Sequence, residues 1–224
     1  MNAKTARHVL FDLDGTLVDT RDAVECSYRK VFAEVLDRDF PPPNLPAEVF
    51  AMRPAEVFQQ VEPERAEELY EAYKRNYPKC SDRVRLFEGA AELIRDLIAE
   101  GRKPSLVTNK GIERTLIDLS VAGISPEQFA AIVTAEDTVE RKPHPAPILL
   151  GLERAGAEAT DAIYVGDGPQ DILAARASGM DCISVTYGFY QAEELSGLGP
   201  LAIATNIAEL SKELGIGLRK GTAA

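Results

Sequence analysis

The sequence predicts an α/β fold, a parallel sheet core covered by helices, with an all-helical segment inserted after the first strand. Three observations carry this. Short apolar runs alternate with helix-length amphipathic segments over most of the chain, the pattern of βαβ units. Residues 20–84 interrupt that alternation with helical patterns only. Acidic, hydroxyl, amide and basic residues recur directly after the strand-like runs, where open parallel sheets place their ligands.

The first run, residues 8–11 (His-Val-Leu-Phe), reads as a buried strand, because parallel strands covered on both faces are continuously apolar. Further runs lie at 104–107, 130–133, 163–165 and 182–185, with a weaker one at 201–204. Between them, residues 88–99 place Ala91, Leu93, Ile94, Leu97 and Ile98 on one helical stripe, and 112–121 and 145–155 have similar spacing. A short Ala-rich helix over 171–177 stops at Gly179, and 206–214 forms a last helix with Asn206 as its N-cap. Residues 215–224 read as a frayed tail. Residues 1–19 and 85–224 together make a Rossmann-like parallel sheet core.

Within residues 20–84, Val24, Tyr28, Val31, Phe32, Val35 and Leu36 form one amphipathic stripe. A Pro41-Pro42-Pro43 break follows, then two short helices over 48–52 and 54–61, divided at Arg53-Pro54 because a residue before Pro is pushed out of helical geometry. Pro63 suits the first turn of another helix, in which Ala66, Leu69, Tyr70, Tyr73 and Tyr77 share a face. A helical module placed after the first strand hangs over that strand's C-terminal end, where a lid belongs.

The chain has 224 residues and a formal net charge of −11, which argues against nucleic acid or an anionic membrane as its partner. Cys26, Cys80 and Cys182 are odd in number and lack metal-type spacing, so they read as ordinary thiols without a disulfide framework. With no signal-like or membrane-length apolar run, the expectation is a soluble cytoplasmic protein, a monomer or homodimer.

The first strand runs into Asp12-Leu13-Asp14-Gly15-Thr16. The second closes with Thr108-Asn109-Lys110, the third is followed by Arg141-Lys142-Pro143, and the fourth closes with Gly166-Asp167-Gly168-Pro169-Gln170-Asp171. Singly, each has a bland reading: Asp14-Gly15 as a turn, Lys142 as a surface lysine, Asp171 as a helix cap. Together they make a phosphoryl-transfer inventory. A phosphomonoester dianion must be neutralised and met by an aligned nucleophile. Asp12 and Asp167 suit Mg²⁺, with Asp171 either holding a metal-bound water or orienting Asp167. A carboxylate can then attack phosphorus, with Lys142 supplying compact positive charge. Thr108, Asn109 and the N–H groups of the Leu13–Gly15 turn can grip the phosphoryl oxygens, and Asp14 can serve as the acid and base.

These motifs, in this order, resemble the haloacid dehalogenase-like hydrolases over nearly the whole chain. The resemblance implies Asp12 as the nucleophile, Asp14 as the acid/base, and Asp12, the Asp14 carbonyl and Asp167 as magnesium ligands. It also implies that the first strand lies between those bearing Thr108 and Asp167, and that the helical insert is a small mobile cap. The wording around the motifs (Val107-Thr108-Asn109-Lys110, Lys142-Pro143-His144-Pro145, Val185-Thr186-Tyr187-Gly188) is similar to the phosphoglycolate phosphatase branch and its pyrophosphatase and sugar-phosphate mutase relatives. Gly168-Pro169-Gln170 departs from the family pattern, which often has a hydroxyl there.

A phospho-accepting receiver module shares the residue types but carries its acidic pair first and its acceptor Asp later, without an insert. A nicotinamide fold needs a Gly-rich first turn instead of acids. A metal-free dehalogenase generally lacks an acid at the Asp14 position. The expectation is a Mg²⁺-dependent phosphatase acting on a small phosphorylated metabolite, with phosphoglycolate first, pyrophosphate second and a sugar phosphate third. Arg53, at the break between two helices of the insert, is a candidate for a substrate's second anion, set against a reading as an ordinary surface arginine.

Overall fold

The computed structural model describes residues 3–42 and 47–217. Strand β1 (His8–Phe11) is buried at every position, as a continuously apolar run requires at the centre of a covered sheet. The other sheet strands are β4 (Lys103–Val107), β5 (Ile132–Val133), β6 (Ala162–Gly166), β7 (Asp181–Val185) and β8 (Ala202–Ala204). They pair in parallel in the order β5-β4-β1-β6-β7-β8. Phe11 stands opposite Leu106 on one side and Val165 on the other. The residues that follow these three positions therefore emerge side by side, about 5 Å apart in the hydrogen-bonding direction.

Helices α4 (Ala90–Ala99), α5 (Ile112–Val121), α6 (Ala146–Ala155), α7 (Pro169–Ala177) and α9 (Ile207–Glu213) connect and cover the strands. Two apolar clusters result, one containing Val9 and Phe11 and the other Leu10, so the alternating side chains of β1 feed opposite faces of the sheet. The expected strand over 130–133 is shorter than predicted, because β5 is an edge strand paired through only two residues. Two features have no sequence signal long enough to read. One is a ribbon of β2 (Val18–Asp19) antiparallel to β3 (Arg85–Leu86), which ties the chain's exit into the insert to its return. The other is α8 (Ala192–Ser196), capped by the Glu194 carboxylate, which accepts from the Gln191 N–H at 2.8 Å.

The insert contains α1 (Arg21–Val31), which continues into one wider π turn (Phe32–Leu36) and ends at Asp37 in the left-handed region, φ 50°. It continues with α2 (Pro54–Val61), α3 (Ala66–Asn76) and a 3-10 segment (Tyr77–Arg83). Pro63 opens a separate 3-10 turn, so α3 starts later than its spacing predicts. The Tyr28 ring stacks on Phe40 at 5.1 Å and meets Tyr73 at 5.3 Å and Phe58 at 5.6 Å. Such pairs add about 0.5–1.5 kcal/mol each beyond area burial, and these rings join the same apolar cluster as Val9 and Phe11 of β1. The predicted tail from 218 onward and the third residue of the proline break lie outside the described residues.

The thiol expectation needs correcting. Cys26 of α1 and Cys80 of the 3-10 segment form a disulfide, with Cα atoms 5.9 Å apart, and Cys182 is the buried free thiol. The two cysteines are 54 residues apart, and it is the packing of α1 against the returning segment that brings them together. Among the described residues, no helix is long and apolar enough to cross a membrane.

Candidate active site

The C-terminal ends of β1, β4 and β6 and the loop before α6 open into one cavity of about 980 Å³. Asp12, Asp14, Thr108, Asn109, Lys142 and Asp167 line its sheet side, and Met52, Arg53, Tyr70 and Tyr73 of the insert close over it. The fold thus brings the sequence-predicted residues to one place.

Asp12 is 6 % exposed, and its Oδ1 accepts from the Leu13 N–H at 2.8 Å. Lys142 Nζ lies 3.0 Å from the same oxygen, 2.7 Å from Asp171 Oδ1, 2.7 Å from the Tyr164 hydroxyl and 2.9 Å from the Val107 carbonyl. A lysine so held is fixed as a point of positive charge. Burial opposes that charge, but Asp12 and Asp171 more than compensate and raise its pKa. Burial, with Asp171 and Asp14 adding to it against Lys142, pushes the Asp12 carboxyl up to about 6. Burial and then the charges of Asp171 and Asp12 raise Asp167 well above the carboxylate range.

Three buried carboxylates, Asp12, Asp167 and Asp171, present oxygens within 4.8 Å of one another, with Lys142 among them. That crowding of negative charge suits a hard divalent cation with oxygen ligands. Asp171 has both oxygens engaged, by Lys142 and by the Gly168 N–H at 3.0 Å. Asp167 Oδ2 accepts from the Phe189 N–H at 2.7 Å. One oxygen each of Asp12 and Asp167 has no protein hydrogen bond among the described residues, so these two are the ready ligands and Asp171 fits an orienting role.

Gly15 has φ 74°, and a Cβ there would come 2.2 Å from Asp167 Oδ2. Its N–H donates to the Val18 carbonyl and that of Leu13 to Asp12 Oδ1, so the turn as it stands engages internally two of the groups that its sequence offers to a phosphate. Gly15 also makes room for Asp167, and so does Gly188, where a Cβ would lie 2.4 Å from the same oxygen. Thr108 is buried at the strand end and accepts from the Lys110 N–H at 3.2 Å. The Asn109 side chain exchanges two hydrogen bonds with the main chain of Lys142, at 2.9 and 3.0 Å, and so latches that loop to the end of β4.

Asp14 belongs to a separate network. Its Oδ1 accepts from Thr20 at 2.6 Å and from Lys110 Nζ at 2.9 Å. Burial would raise its pKa, but the charge and hydrogen bond of Lys110, with Thr20, hold it below the usual value. Lys110 also donates to Tyr77 at 2.8 Å and pairs with Asp118, while the Tyr77 hydroxyl reaches Asp118 at 2.9 Å. This buried cluster escapes sequence reasoning. Lys110 is visible as a base at a strand end, but Tyr77 reads only as a helix-face aromatic and Asp118 as one residue of an amphipathic helix. Lys110→Met should therefore destabilise the protein by about 3–5 kcal/mol, because Asp118 is left as an uncompensated buried charge. Urea unfolding checks this, and Lys110→Met combined with Asp118→Leu should recover most of the loss.

Arg53 stands at the N-cap of α2 on the cavity wall, half-exposed and paired with Glu56. Burial, and then the nearby Arg141, lower its pKa. His8 pairs within β1 of the sheet, away from the cavity lining.

The haloacid dehalogenase-like hydrolase family profile matches residues 9–185. The chain is 32 % identical to a phosphoglycolate phosphatase of Yersinia pestis, over 95 % of each chain. It is 31 % identical to the pyrophosphatase PpaX of Bacillus pumilus, over 87 % of this chain and 90 % of the relative. Its fold is similar to that of CbbY from Rhodobacter sphaeroides, solved in complex with phosphate, with a TM-score of 0.82 at 20 % identity, covering 94 % of this chain and 99 % of that one. A profile match spanning all four strand-end motifs, on a sheet that carries them in one cavity, leaves one assignment: the chain belongs to the haloacid dehalogenase-like hydrolase family and is a phosphatase of it.

Proposed function

We propose that this phosphatase is Mg²⁺-dependent and hydrolyses a small phosphomonoester through an aspartyl phosphate on Asp12. The observation that carries the reading is the division of labour between two carboxylates two residues apart. Asp12 faces Lys142, Asp167 and Asp171, whereas Asp14 is held apart by Lys110 and Thr20. Neighbouring carboxyl groups in unlike environments take unlike roles.

An oxygen of Asp12 forms a bond to phosphorus as the bond from phosphorus to the ester oxygen breaks, and Asp14, which Lys110 and Thr20 keep ionised in the free protein, takes up a proton as the substrate dianion binds beside it and passes that proton to the leaving alcohol. Asp14 then takes a proton from water, whose oxygen attacks phosphorus, and the bond to Asp12 breaks to release phosphate. Lys142 offsets the charge of Asp12 and the phosphoryl oxygens throughout, and Thr108 contributes its hydroxyl at the strand end. Bound Mg²⁺, held by Asp12, Asp167 and the Asp14 carbonyl with Asp171 behind them, would neutralise charge between the carboxylates and the phosphoryl group. The helical insert acts as a cap that excludes water over the cavity, and Arg53 on it takes the far-end anion of the substrate.

Phosphoglycolate stands first among substrates and pyrophosphate second, in line with the names of the two relatives, and a sugar phosphate third. The test is a phosphate-release screen over small phosphomonoesters and pyrophosphate. Activity should vanish after chelation of divalent metal and return with Mg²⁺. Full activity in excess chelator would refute the metal-dependent reading.

A further inference from the structure

We infer that Arg114 and Arg141, at separate points on the wall of the active-site cavity, are further anion-binding residues that select phosphomonoesters whose leaving group carries another negative charge. The inference rests on the phosphatase reading above and adds to it two residues of the sheet domain. Arg114, on α5, is half-buried in the cavity wall. Its guanidinium carbon lies 5.5 Å from the Tyr73 ring centroid and 5.8 Å from that of Tyr77. Among the described residues it has no carboxylate within ion-pair distance, unlike Arg53, Arg38 or Arg154. A guanidinium oriented by ring faces keeps in-plane N–H donors for a ligand.

Arg141, immediately before Lys142, donates to the Ala135 carbonyl at 3.3 and 3.0 Å and likewise has no carboxylate partner among the described residues. It lies close enough to Arg53 for the two charges to repel. The like charges of Arg53 and Arg141, close together on the cavity wall of a protein of net charge −11, are relieved by an anion between them. Of the acids on the same wall, Asp14 is near enough to favour the Arg114 charge, but it is outside ion-pair distance and bound by Lys110 and Thr20. Glu136 accepts from the Ile112 N–H and the Thr134 hydroxyl, Glu56 is paired with Arg53, and Glu140 is exposed.

A second observation points to a ligand. The Tyr73 hydroxyl is buried in the cavity lining with no hydrogen-bond partner, and although Arg114 is beside it no bond of ordinary geometry joins them. An oxyanion at Arg114 would give that hydroxyl an acceptor. The cavity is also larger than a two-carbon acid needs, so both a carboxylate and a distal phosphate are compatible with these residues.

The experiment compares matched substrates in the full-length protein with Mg²⁺: phosphoglycolate against ethyl phosphate, and a sugar bisphosphate against its monophosphate. In Arg114→Met, which keeps the apolar contact with the tyrosines, KM for the doubly anionic member should rise about tenfold more than for its partner, the scale of a charge-assisted hydrogen bond. Arg141→Met should act in the same direction, and Arg114→Lys should restore part of the preference. Whichever pair shows the effect identifies the second anion as carboxylate or phosphate. Calorimetric binding of the same pairs to Asp12→Asn, with and without Arg114→Met, separates the two readings. A preference in Kd without any turnover of the wild-type protein would fell the phosphatase reading and leave the anion-binding role standing. Equal losses on both members of each pair, or no loss on either, would overturn that role.

Discussion

Replacing Asp12 by Asn is expected to lower turnover by on the order of 10⁴-fold or more while the protein stays folded, the scale on which loss of a covalent nucleophile acts. The substitution changes charge and little else. The carbonyl oxygen of the new amide can keep both contacts now made by Asp12 Oδ1, from the Leu13 N–H at 2.8 Å and Lys142 at 3.0 Å. What it cannot supply is a negatively charged oxygen to form a bond to phosphorus. An amide also relieves the crowding of Asp12 against Asp167 and Asp171, so the melting temperature measured without metal should not fall. Phosphate release from p-nitrophenyl phosphate, with circular dichroism as the folding control, checks both halves. A variant keeping a tenth of wild-type turnover would remove Asp12 from the nucleophile's place.

The parts of this site that were legible in the sequence are those whose signal is local. Asp12 and Thr108 each directly follow a short apolar run and Asp167 follows another across one glycine, and a run of that kind has few folds other than a central parallel strand. The strand order then places them side by side without further information from the side chains. The helical insert was legible for a similar reason, since its stripe from Val24 to Leu36 has the period of one helix face. The pairing of Lys110 with Tyr77 and Asp118 was not, because Tyr77 comes from the insert and the other two from the sheet domain. Nor was the Cys26–Cys80 disulfide, whose partners lie 54 residues apart within the insert, nor the place of Arg114, which depends on the tyrosine rings beneath it. Sequence reasoning also assigned the N–H groups of Leu13 and Gly15 to the phosphate, whereas the tight turn uses both internally. The residue types that a phosphoryl-transfer reading calls on are a local property of the sequence. Which atoms remain available for that chemistry is settled only by packing.

The Asp14→Asn variant should behave differently from Asp12→Asn, and the difference is the sharper test of mechanism. Asp14 is held by Thr20 and Lys110 through one oxygen, a contact that an amide oxygen can keep, so the variant should fold and bind substrate. It loses the group that gives a proton to the leaving alcohol and later takes one from water. With p-nitrophenyl phosphate the leaving group departs as a stable anion and needs no proton, so the first step should survive. The second should slow by about 10²–10⁴-fold, the usual range for a lost general base. Rapid mixing should then show a burst of nitrophenolate equal to the enzyme concentration, followed by a slow steady rate. Acid quenching during that phase should trap a protein heavier by one phosphoryl group, with the label on the peptide containing Asp12. With an alkyl phosphate, whose leaving group does need a proton, no burst should appear. A linear trace without a burst from the aryl ester, or a label on any other residue, would show that Asp14 does not divide the reaction in this way.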